Sequence, residues 1–421
     1  MMHAMKWHRS LLAAAGINML LATTALATDV TVWCWDPQFN GAAMNEAISR
    51  YTATHADVNI KVVDFAKADL EQKLQTQLAS GQTDGLPDIV LIEDYGAQKY
   101  LLSFPGAFEP LTDKIDYTKF ADYKVSLATV DGQTYSLPFD SGVSGLFYRS
   151  DLLAEAGYKA DDLKDITWDQ LIDIGKAVKD KTGKPLLSID QNDAGPIRIM
   201  LQSAGSWYFN ADGTANIKDN PVFKSALTTW VKMLQTPELY KPVSGWGDYT
   251  GAFNSGDVAG VFTGVWMTGG IKGDGMSGKW AVAPTPRLDL EGSTHYSNLG
   301  GSSWYVLASA PGKDAAIDFL KTVWAGDVDF YQTILVGQGA FSSYLPARDG
   351  AAYTAKDDYF GGQAVWADFS DWQAKIPGVN YGIFTNEADA AVVAQLPGLV
   401  KGGSIDDAIA AIDAQVEQQI Q

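Results

Sequence analysis

Cysteine and histidine are scarce in this chain of 421 residues, which holds one of the first and four of the second. The single thiol, Cys34, cannot form an intramolecular disulfide, and its place between two tryptophans is typical of a small buried residue. Past the N-terminal region only His55 and His295 remain. Neither has a second histidine, a cysteine or a carboxylate at the spacing of a metal site. We therefore expect no metal ion and no cofactor.

The common enzyme motifs are also missing, apart from two imperfect matches. The sequence has no H-E-x-x-H, no P-loop and no G-x-S-x-G, and residues 142–145 fall one residue short of the last of these. Residues 273–278 match G-x-G-x-x-G, but a dinucleotide fingerprint follows a strand and opens a helix. These residues instead follow a helical turn and precede a strand-like run, so we interpret them as a loop. The sequence favours a chain that is not an enzyme.

Long apolar runs are absent except for residues 11–22, and about a dozen residues is short of the ~20 that cross a bilayer. Basic residues precede this run, and residues 25–27 have the small-residue pattern of a cleavage site. We predict a signal peptide over residues 1–27, a mature chain that begins at Thr28, and export to the periplasm. The alternatives are a membrane anchor and a buried first helix.

Basic residues are outnumbered, with 31 Lys and Arg against 50 Asp and Glu, for a formal net charge of −19. A surface this acidic repels nucleic acid and anionic lipid, so neither is an expected partner. Hydrophobic residues make up 46% of the chain, which is too long for one typical domain. We expect two domains, each with its own core, in a monomer.

Strand-like and helix-like segments alternate in the first part of the chain. Residues 29–35, 58–65 and 88–92 predict strands, and residues 42–55 and 70–81 predict the helices between them. The third strand-like run is almost wholly apolar, which is typical of a strand buried on both faces. The β-α-β-α-β order indicates a parallel sheet covered by helices.

The same alternation continues with a second set of apolar residues. A capping-box pattern at residues 167–170 opens a helix, and residues 221–234 predict another. Strands are predicted at residues 258–262 and 280–283. After Ser404 an apolar stripe recurs at helical spacing to the end of the chain. Together these patterns predict an α/β protein with two lobes.

Aromatic residues stand where several of the predicted strands end. Trp35 ends the first strand, Tyr95 follows the third, and Trp266 follows an apolar strand, each beside polar turn residues. Trp207 precedes another polar turn. Open parallel sheets bind ligands at the carboxyl ends of their strands. A flat ring there can lie against the apolar face of a pyranose while neighbouring polar side chains bond its hydroxyls.

Several stretches resemble the extracellular solute-binding protein family that serves carbohydrate ABC importers, the family of maltose-binding protein. The resemblance covers nearly the whole predicted mature chain. Residues 253–266 are similar to the family's F-x-x-G-x-A/V-A-M-x-x-x-G-x-W stretch. The remaining matches, in chain order, are residues 86–90, 137–140, 146–149 and 344–348.

The resemblance implies a periplasmic-binding-protein fold, in which two hinge-linked lobes enclose a ligand cleft. The chain would cross between the lobes near Asp140, near Gly300 and just before Arg348. The implied lobes are residues 28–138 with 300–344 (N-terminal) and residues 139–299 with 345–421 (C-terminal).

The resemblance also implies ligand-binding roles for individual residues. Trp266 matches the tryptophan that stacks on sugar from the C-terminal lobe. Arg348 is an expected ligand contact, with an alternative role as an ion-pair partner in the hinge. Tyr381 is also an expected contact, because it lies near the aromatic that often completes the stack. The other ligand contacts that the resemblance implies are Trp35, Asp36, Glu93, Asp94, Tyr95, Asp140, Gly301 and Ser302. The aromatic pattern adds Trp207 as a further expected contact.

These expectations combine into capture of a saccharide by hinge closure and its delivery to an inner-membrane ABC permease. Residues 32–37 and 91–95 look closest to lactose- and galactoside-type binding proteins, so lactose or a related disaccharide is the expected ligand. Three alternatives stay open at this point. They are a periplasmic carbohydrate enzyme with Glu93 or Asp94 as acid or base, a binding protein for a peptide, polyamine or anion, and a structural envelope protein.

Overall fold

The computed structural model describes residues 27–420, so all of the predicted signal peptide except its last residue lies outside the described residues. In the described part, no helix combines the length and the apolar composition that a bilayer span requires. The strands are β1 (Thr28–Trp35), β2 (Val58–Phe65), β3 (Ile89–Glu93), β4 (Thr129–Val130), β5 (Gln133–Thr134), β6 (Ser136–Arg149), β7 (Leu187–Asp190), β8 (Tyr240–Val243), β9 (Gly260–Gly264), β10 (Trp280–Ala283) and β11 (Asn298–Val306).

The helices carry about half of the remaining described chain, with short 3₁₀ turns and a π turn between them. They are α1 (Asn40–Thr52), α2 (Lys67–Ser80), α3 (Asp94–Ser103), α4 (Asp122–Leu127), α5 (Ser150–Glu155), α6 (Trp168–Thr182), α7 (Gly195–Ser203), α8 (Pro221–Leu234), α9 (Gly245–Asn254), α10 (Lys313–Phe319), α11 (Val328–Gln338), α12 (Ala351–Thr354), α13 (Val365–Gln373), α14 (Thr385–Val400) and α15 (Ile405–Ile420).

A seven-stranded sheet runs in the order β10-β6-β11-β3-β1-β2, with β9 also paired to β6. Strand β1 lies parallel to β2 and to β3, which confirms the predicted β-α-β-α-β start of the chain. Strand β11 runs antiparallel to β3 and to β6, so the complete sheet is mixed rather than parallel throughout. Because both faces of this sheet are covered, β3 is buried along almost its whole length.

Strand β6 joins two parts of the sheet. All 14 of its residues are buried. Its first half pairs with β11, as at Leu137 and Trp304, whereas Leu146 in its second half pairs with both β9 and β10. Strand β11 changes register twice along β6, once between Asn298 and Gly301. The ladder of strands is therefore continuous but irregular where the two halves meet.

A third segment lies against this irregular point. Asp140 forms an isolated bridge with Ser342, and the N–H of Ser343 donates to the carbonyl oxygen of Phe139 at 3.0 Å. Three parts of the chain therefore run side by side near Asp140, Gly301 and Ser342. These are the regions where the sequence places the crossings between lobes, and the residue-by-residue division into lobes stays a prediction.

Local signals explain several helix ends. The capping box predicted at residues 167–170 is present, because Thr167 Oγ1 accepts from the N–H of Gln170 at 3.3 Å and Gln170 Oε1 accepts from that of Thr167 at 2.8 Å. Gly81 ends α2 with a φ of 69°, where glycine is favoured over other residues. Residues 273–278 form a loop before β10, as predicted.

Gly142 lies in β6 close to β11, and a Cβ atom there would lie 2.2 Å from the carbonyl oxygen of Leu299 in β11. The two strands would have to separate, so we expect Gly142→Ala to lower the free energy of unfolding by about 1–3 kcal/mol. Gly337 in α11 is the matched control, since its Cβ would meet nothing within 4 Å and alanine favours a helix by about 0.5–1 kcal/mol. Urea unfolding followed by circular dichroism measures both variants. Equal stabilities would contradict the close approach of the strands.

Candidate functional site

Two adjoining cavities open beside the crossing strands. The first has a volume of about 330 Å³ and lies among β7, α7, α9 and β9. The second has a volume of about 320 Å³ and lies between the end of β1 and the start of β11. Both are in the size range of small-molecule sites. Four residues belong to the walls of both cavities, which therefore form one continuous candidate site: Glu93, Trp246, Trp266 and Gly300.

Trp266 lies in the turn after β9, with its ring in the shared wall. Its indole Nε1 donates to the carbonyl oxygen of Leu299 at 2.9 Å, which fixes the plane of the ring. A Cβ on Gly264 would lie 2.2 Å from the same nitrogen, so glycine is needed there. Trp246 faces Trp266 with ring centroids 5.8 Å apart and is 62% exposed. The shared wall thus contains a pair of tryptophans.

Three carboxylates in the second cavity each use one oxygen within the protein. Asp36 Oδ1 accepts two backbone N–H groups at 3.0 and 3.1 Å, and Glu93 Oε2 lies 2.5 Å from Lys67 Nζ. Asp140 Oδ1 accepts from the N–H and the hydroxyl of Ser302 at 2.8 and 2.6 Å. The other oxygen of each has no hydrogen-bond donor among residues 27–420. The carboxylates are therefore held in place and keep an acceptor for a ligand.

Backbone shape opens the second cavity on the side of β11. Gly300 and Gly301 have φ values of 86° and 91°, in the left-handed region that glycine tolerates. A Cβ on Gly301 would lie 2.7 Å from Asp94 Oδ2. Gly301 and Ser302 both line the cavity, as does Trp35, so these predicted site residues come together with Asp36, Glu93, Asp140 and Trp266.

Asp94 lies outside both walls, behind Gly301. Lys124 Nζ contacts its two carboxylate oxygens at 2.5 and 2.7 Å and also donates to the carbonyl oxygen of Ser302 at 2.9 Å. Burial raises the pKa of Asp94 to about 7, although the ion pair with Lys124 opposes that shift. In this arrangement Asp94 and Lys124 hold the backbone of Ser302 rather than facing a ligand.

Tyr95 is the second residue of α3 and lines the first cavity, with two other predicted site residues behind it. Its ring lies 5.9 Å from that of Trp207 and 4.7 Å from that of Tyr381. Both of these residues are buried, and they donate to Thr385 Oγ1 at 3.0 Å and to Gln202 Oε1 at 2.9 Å, respectively. Trp207 and Tyr381 line neither cavity, so they support Tyr95, and direct contact of either with a ligand stays a prediction.

Arg348 also lies away from the two cavities. Its guanidinium donates to the side chain of Gln373 in α13, and Gln373 in turn donates to the carbonyl oxygen of Ser342 at 3.3 Å. Arg348 therefore ties the third crossing segment to α13. The partner is a neutral amide and not the carboxylate of an ion pair, and Arg348 forms no ion pair among residues 27–420, so both roles that the sequence left open for it stay predictions.

Sequence reasoning missed several residues of the first cavity. Trp246 follows β8 and obeys the same strand-end rule that selected Trp266, so that rule could have found it. Asp193 and Arg198 lie just after β7, where Asp193 Oδ1 accepts from the N–H of Gly195 at 2.7 Å. A charged residue on a short helix usually faces solvent, so no sequence signal marked Arg198.

Three segments of the chain run side by side in this mixed sheet, and the two joined cavities beside them are lined by aromatic and carboxylate side chains. This combination is that of a two-lobed solute-binding protein. The chain belongs to the bacterial extracellular solute-binding protein family, whose profile matches residues 46–361. The predicted family and fold class are thereby confirmed.

Named relatives agree with this assignment. The chain is 57% identical over 410 residues to the lactose-binding protein of Rhizobium radiobacter, covering 97% of both chains. Its fold is similar to that of the sugar-binding protein MalE from Xanthomonas citri (TM-score 0.78, 20% identity, 93% of this chain and 97% of that one). It is also similar to the ABC transporter associated binding protein from B. animalis subsp. lactis Bl-04 in complex with beta-1,6-galactobiose (TM-score 0.73, 25% identity, 93% and 98%).

The side chain of Lys124 is fully buried and that of Asp94 is 3% exposed, so Lys124→Met leaves a carboxylate without its counter-charge. We expect this variant to lose about 3–5 kcal/mol of unfolding free energy. Lys119 and Asp116 form an exposed pair at 3.6 Å, and the control Lys119→Met should lose less than about 1 kcal/mol. Chemical unfolding measures both variants.

The same pair has a pH signature. The pKa of Asp94 in the folded protein, about 7, lies above its ordinary value, so stability is lost as the pH rises through about 7. The unfolding free energy that Lys124→Met loses should therefore be smaller at about pH 5 than at about pH 8, because protonation of Asp94 removes the buried charge. A loss of unfolding free energy that is small, or that stays constant over this pH range, would contradict the proposed role of the pair.

Proposed function

We propose that this chain is the sugar-capturing component of an ABC importer. The observation that carries the proposal is the wall of Trp246 and Trp266 beside carboxylates that each keep a free oxygen. Indole faces stack on the apolar C–H face of a pyranose. Carboxylate oxygens accept hydrogen bonds from its hydroxyls, and such charge-assisted bonds are stronger than neutral ones. The two kinds of group line the same volume, as binding of a sugar ring requires.

The ligand we propose is lactose or a related galactoside. The relative that is 57% identical over nearly the whole chain is a lactose-binding protein, and a structural relative holds beta-1,6-galactobiose. Two cavities of about 330 and 320 Å³ that meet at Trp266 suit a ligand with one ring on each side of that wall. A disaccharide has this shape.

We propose hinge closure as the mechanism. Glu93 and Asp36 come from the segment assigned to the N-terminal lobe, whereas Trp246 and Trp266 come from the segment assigned to the C-terminal lobe. A sugar between them contacts both lobes only when the cleft is closed. It therefore stabilises the closed state by the difference between its affinities for the two states. The loaded closed form would then dock on the inner-membrane permease.

The same proposal covers cellular location and assembly. Export into the periplasm with cleavage after Ala27, and action as a monomer, fit a freely diffusing capture protein. We propose no catalysis. A glycosidase needs two carboxyl groups that flank the scissile bond. The two carboxylates that the sequence offered for this role are Glu93 and Asp94. Asp94 is buried against Lys124 outside both cavities, and one oxygen of Glu93 is held by Lys67.

A thermal-shift panel tests the ligand class. We expect lactose or beta-1,6-galactobiose at 100 times Kd to add about 2.7 kcal/mol of stability, and hence to raise the melting temperature. Peptides, polyamines and inorganic anions should leave the melting temperature unchanged. A shift produced by one of these and by no saccharide would replace sugar binding with another solute. Chromatography of the lactose after incubation with the protein serves as the control for turnover, and cleavage of lactose would favour an enzyme.

Trp266→Ala removes the stacking ring from the shared wall. We expect the Kd for lactose to rise about 100-fold, a loss of about 2.7 kcal/mol that combines apolar burial with aromatic stacking. Trp366→Ala is the matched control, because Trp366 is a half-buried tryptophan on α13 that lines neither cavity. Isothermal titration calorimetry measures both affinities. An unchanged Kd in a folded Trp266→Ala protein would remove this residue from the site.

A further inference from the structure

Arg198 on α7 is a charged side chain in the wall of the first cavity whose donors are unused. Its side chain is only 17% exposed, and its Nε lies 3.6 Å from Asp389 Oδ2, beyond hydrogen-bond distance. The guanidinium lies 4.4 Å from the ring centroid of Tyr95. Among residues 27–420 it makes no hydrogen bond, and its buried Nε is unsatisfied. That Nε is enclosed by protein and faces Asp389 as an ion pair, whereas the two terminal nitrogens of the guanidinium also donate to nothing among the described residues, so these two point to a partner that arrives with the ligand.

The surroundings of Arg198 indicate what kind of partner that is. Burial opposes the charged form, but Asp389, followed by Tyr95 and the more distant Asp193 and Glu93, raises the pKa of Arg198 above its ordinary value. The guanidinium is therefore always charged. Several carboxylates around one cation leave the cavity with a net negative charge, which disfavours an anionic ligand. A neutral ligand rich in hydroxyl groups is compatible with this balance.

An acceptor stands near these donors. Asp193 precedes α7 and lines the same cavity; its Oδ1 is occupied by the N–H of Gly195 at 2.7 Å, while its Oδ2 has no donor among the described residues. A sugar hydroxyl both donates and accepts. Two neighbouring hydroxyls can therefore accept from the guanidinium fork of Arg198 while one of them donates to Asp193.

Tyr95 holds the fork in position. Its hydroxyl accepts from the N–H of Gly300 at 3.3 Å and donates to the carbonyl oxygen of Asn298 at 3.2 Å, so the ring is anchored to β11. The flat guanidinium of Arg198 lies over this anchored ring, a contact that retains the charge and restricts the side chain. Tyr95 comes from α3 and Arg198 from α7, so the contact joins segments assigned to different lobes.

We propose that Arg198 is a specificity-determining residue, which binds two neighbouring hydroxyls of the saccharide in the first cavity while Asp193 accepts from one of them. This inference rests on the proposed function. It adds the assignment of a hydrogen-bonding role to a residue that the sequence did not mark, and it predicts that the protein distinguishes sugars by the hydroxyls that this residue contacts.

Calorimetry with lactose and with analogues that each lack one hydroxyl of the galactose ring or of the glucose ring tests the inference. We expect Arg198→Gln to raise the Kd for lactose at least about 30-fold, and Arg198→Lys, which keeps the charge but loses the fork, to raise it less. In the unmodified protein, removal of either contacted hydroxyl should weaken binding about tenfold or more. In Arg198→Gln the same removal should change the Kd less than about twofold, because the partner is already gone.

Arg50→Gln is the matched control, since Arg50 pairs with Glu46 at 2.7 Å and Asp327 at 3.0 Å and lines neither cavity. Its Kd for lactose should equal that of the unmodified protein. The Arg198→Lys protein keeps a cation beside Asp389, so it supplies the same comparison if Arg198→Gln does not fold. If every analogue loses as much affinity in Arg198→Gln as in the unmodified protein, the inference is overturned and sugar binding still stands. Failure of the unmodified protein to bind any saccharide would instead overturn the proposed function.

Discussion

The antiparallel contact between β6 and β11 is the constraint on which the rest of this structure depends. Both strands are almost wholly buried, and Asp140 on one holds the N–H and the hydroxyl of Ser302 on the other. Strands this close leave no room for side chains at Gly142 or Gly301. The same contact brings the ends of β1, β3 and β9 to one place. The cleft therefore lies where these strand ends meet.

Each of the three carboxylates in the second cavity has one oxygen held by the protein and one oxygen free. Asp36 uses the N–H groups of its own turn, Glu93 uses Lys67, and Asp140 uses Ser302. A carboxylate held in this way pays little entropy when a ligand hydroxyl binds. The buried pair of Asp94 and Lys124 acts one layer further back, where it sets the position of the backbone.

Sequence patterns predicted the order of elements better than their bounds. The alternation through β1, β2 and β3, the capping box of α6 and the helix after Ser404 are all present. The strand predicted at residues 258–262 occupies Gly260–Gly264 instead, because pairing with β6 sets its bounds, not the apolar run.

Where one strand end supplied both a ring and its polar neighbours, as at Trp35 and Trp266, the predicted residues line the second cavity, and their contact with a ligand stays a prediction. Sequence reasoning could not separate rings that face the cleft from a ring such as Trp207 that packs behind them, because an aromatic residue beside a polar turn fits both roles. The contact between Asp94 and Lys124, and the burial of Arg198, depend on tertiary packing between distant segments. No local sequence pattern encodes them.

The two indoles of the shared wall give this protein an optical consequence. Trp246 is largely exposed to water, while six other tryptophans are fully buried and have little contact with water to lose: Trp168, Trp207, Trp230, Trp280, Trp304 and Trp324. Indole emission moves to shorter wavelength when water leaves the ring. On the proposed function, a sugar that enters the cavities displaces water from Trp246, so the emission of the chain itself would report occupancy.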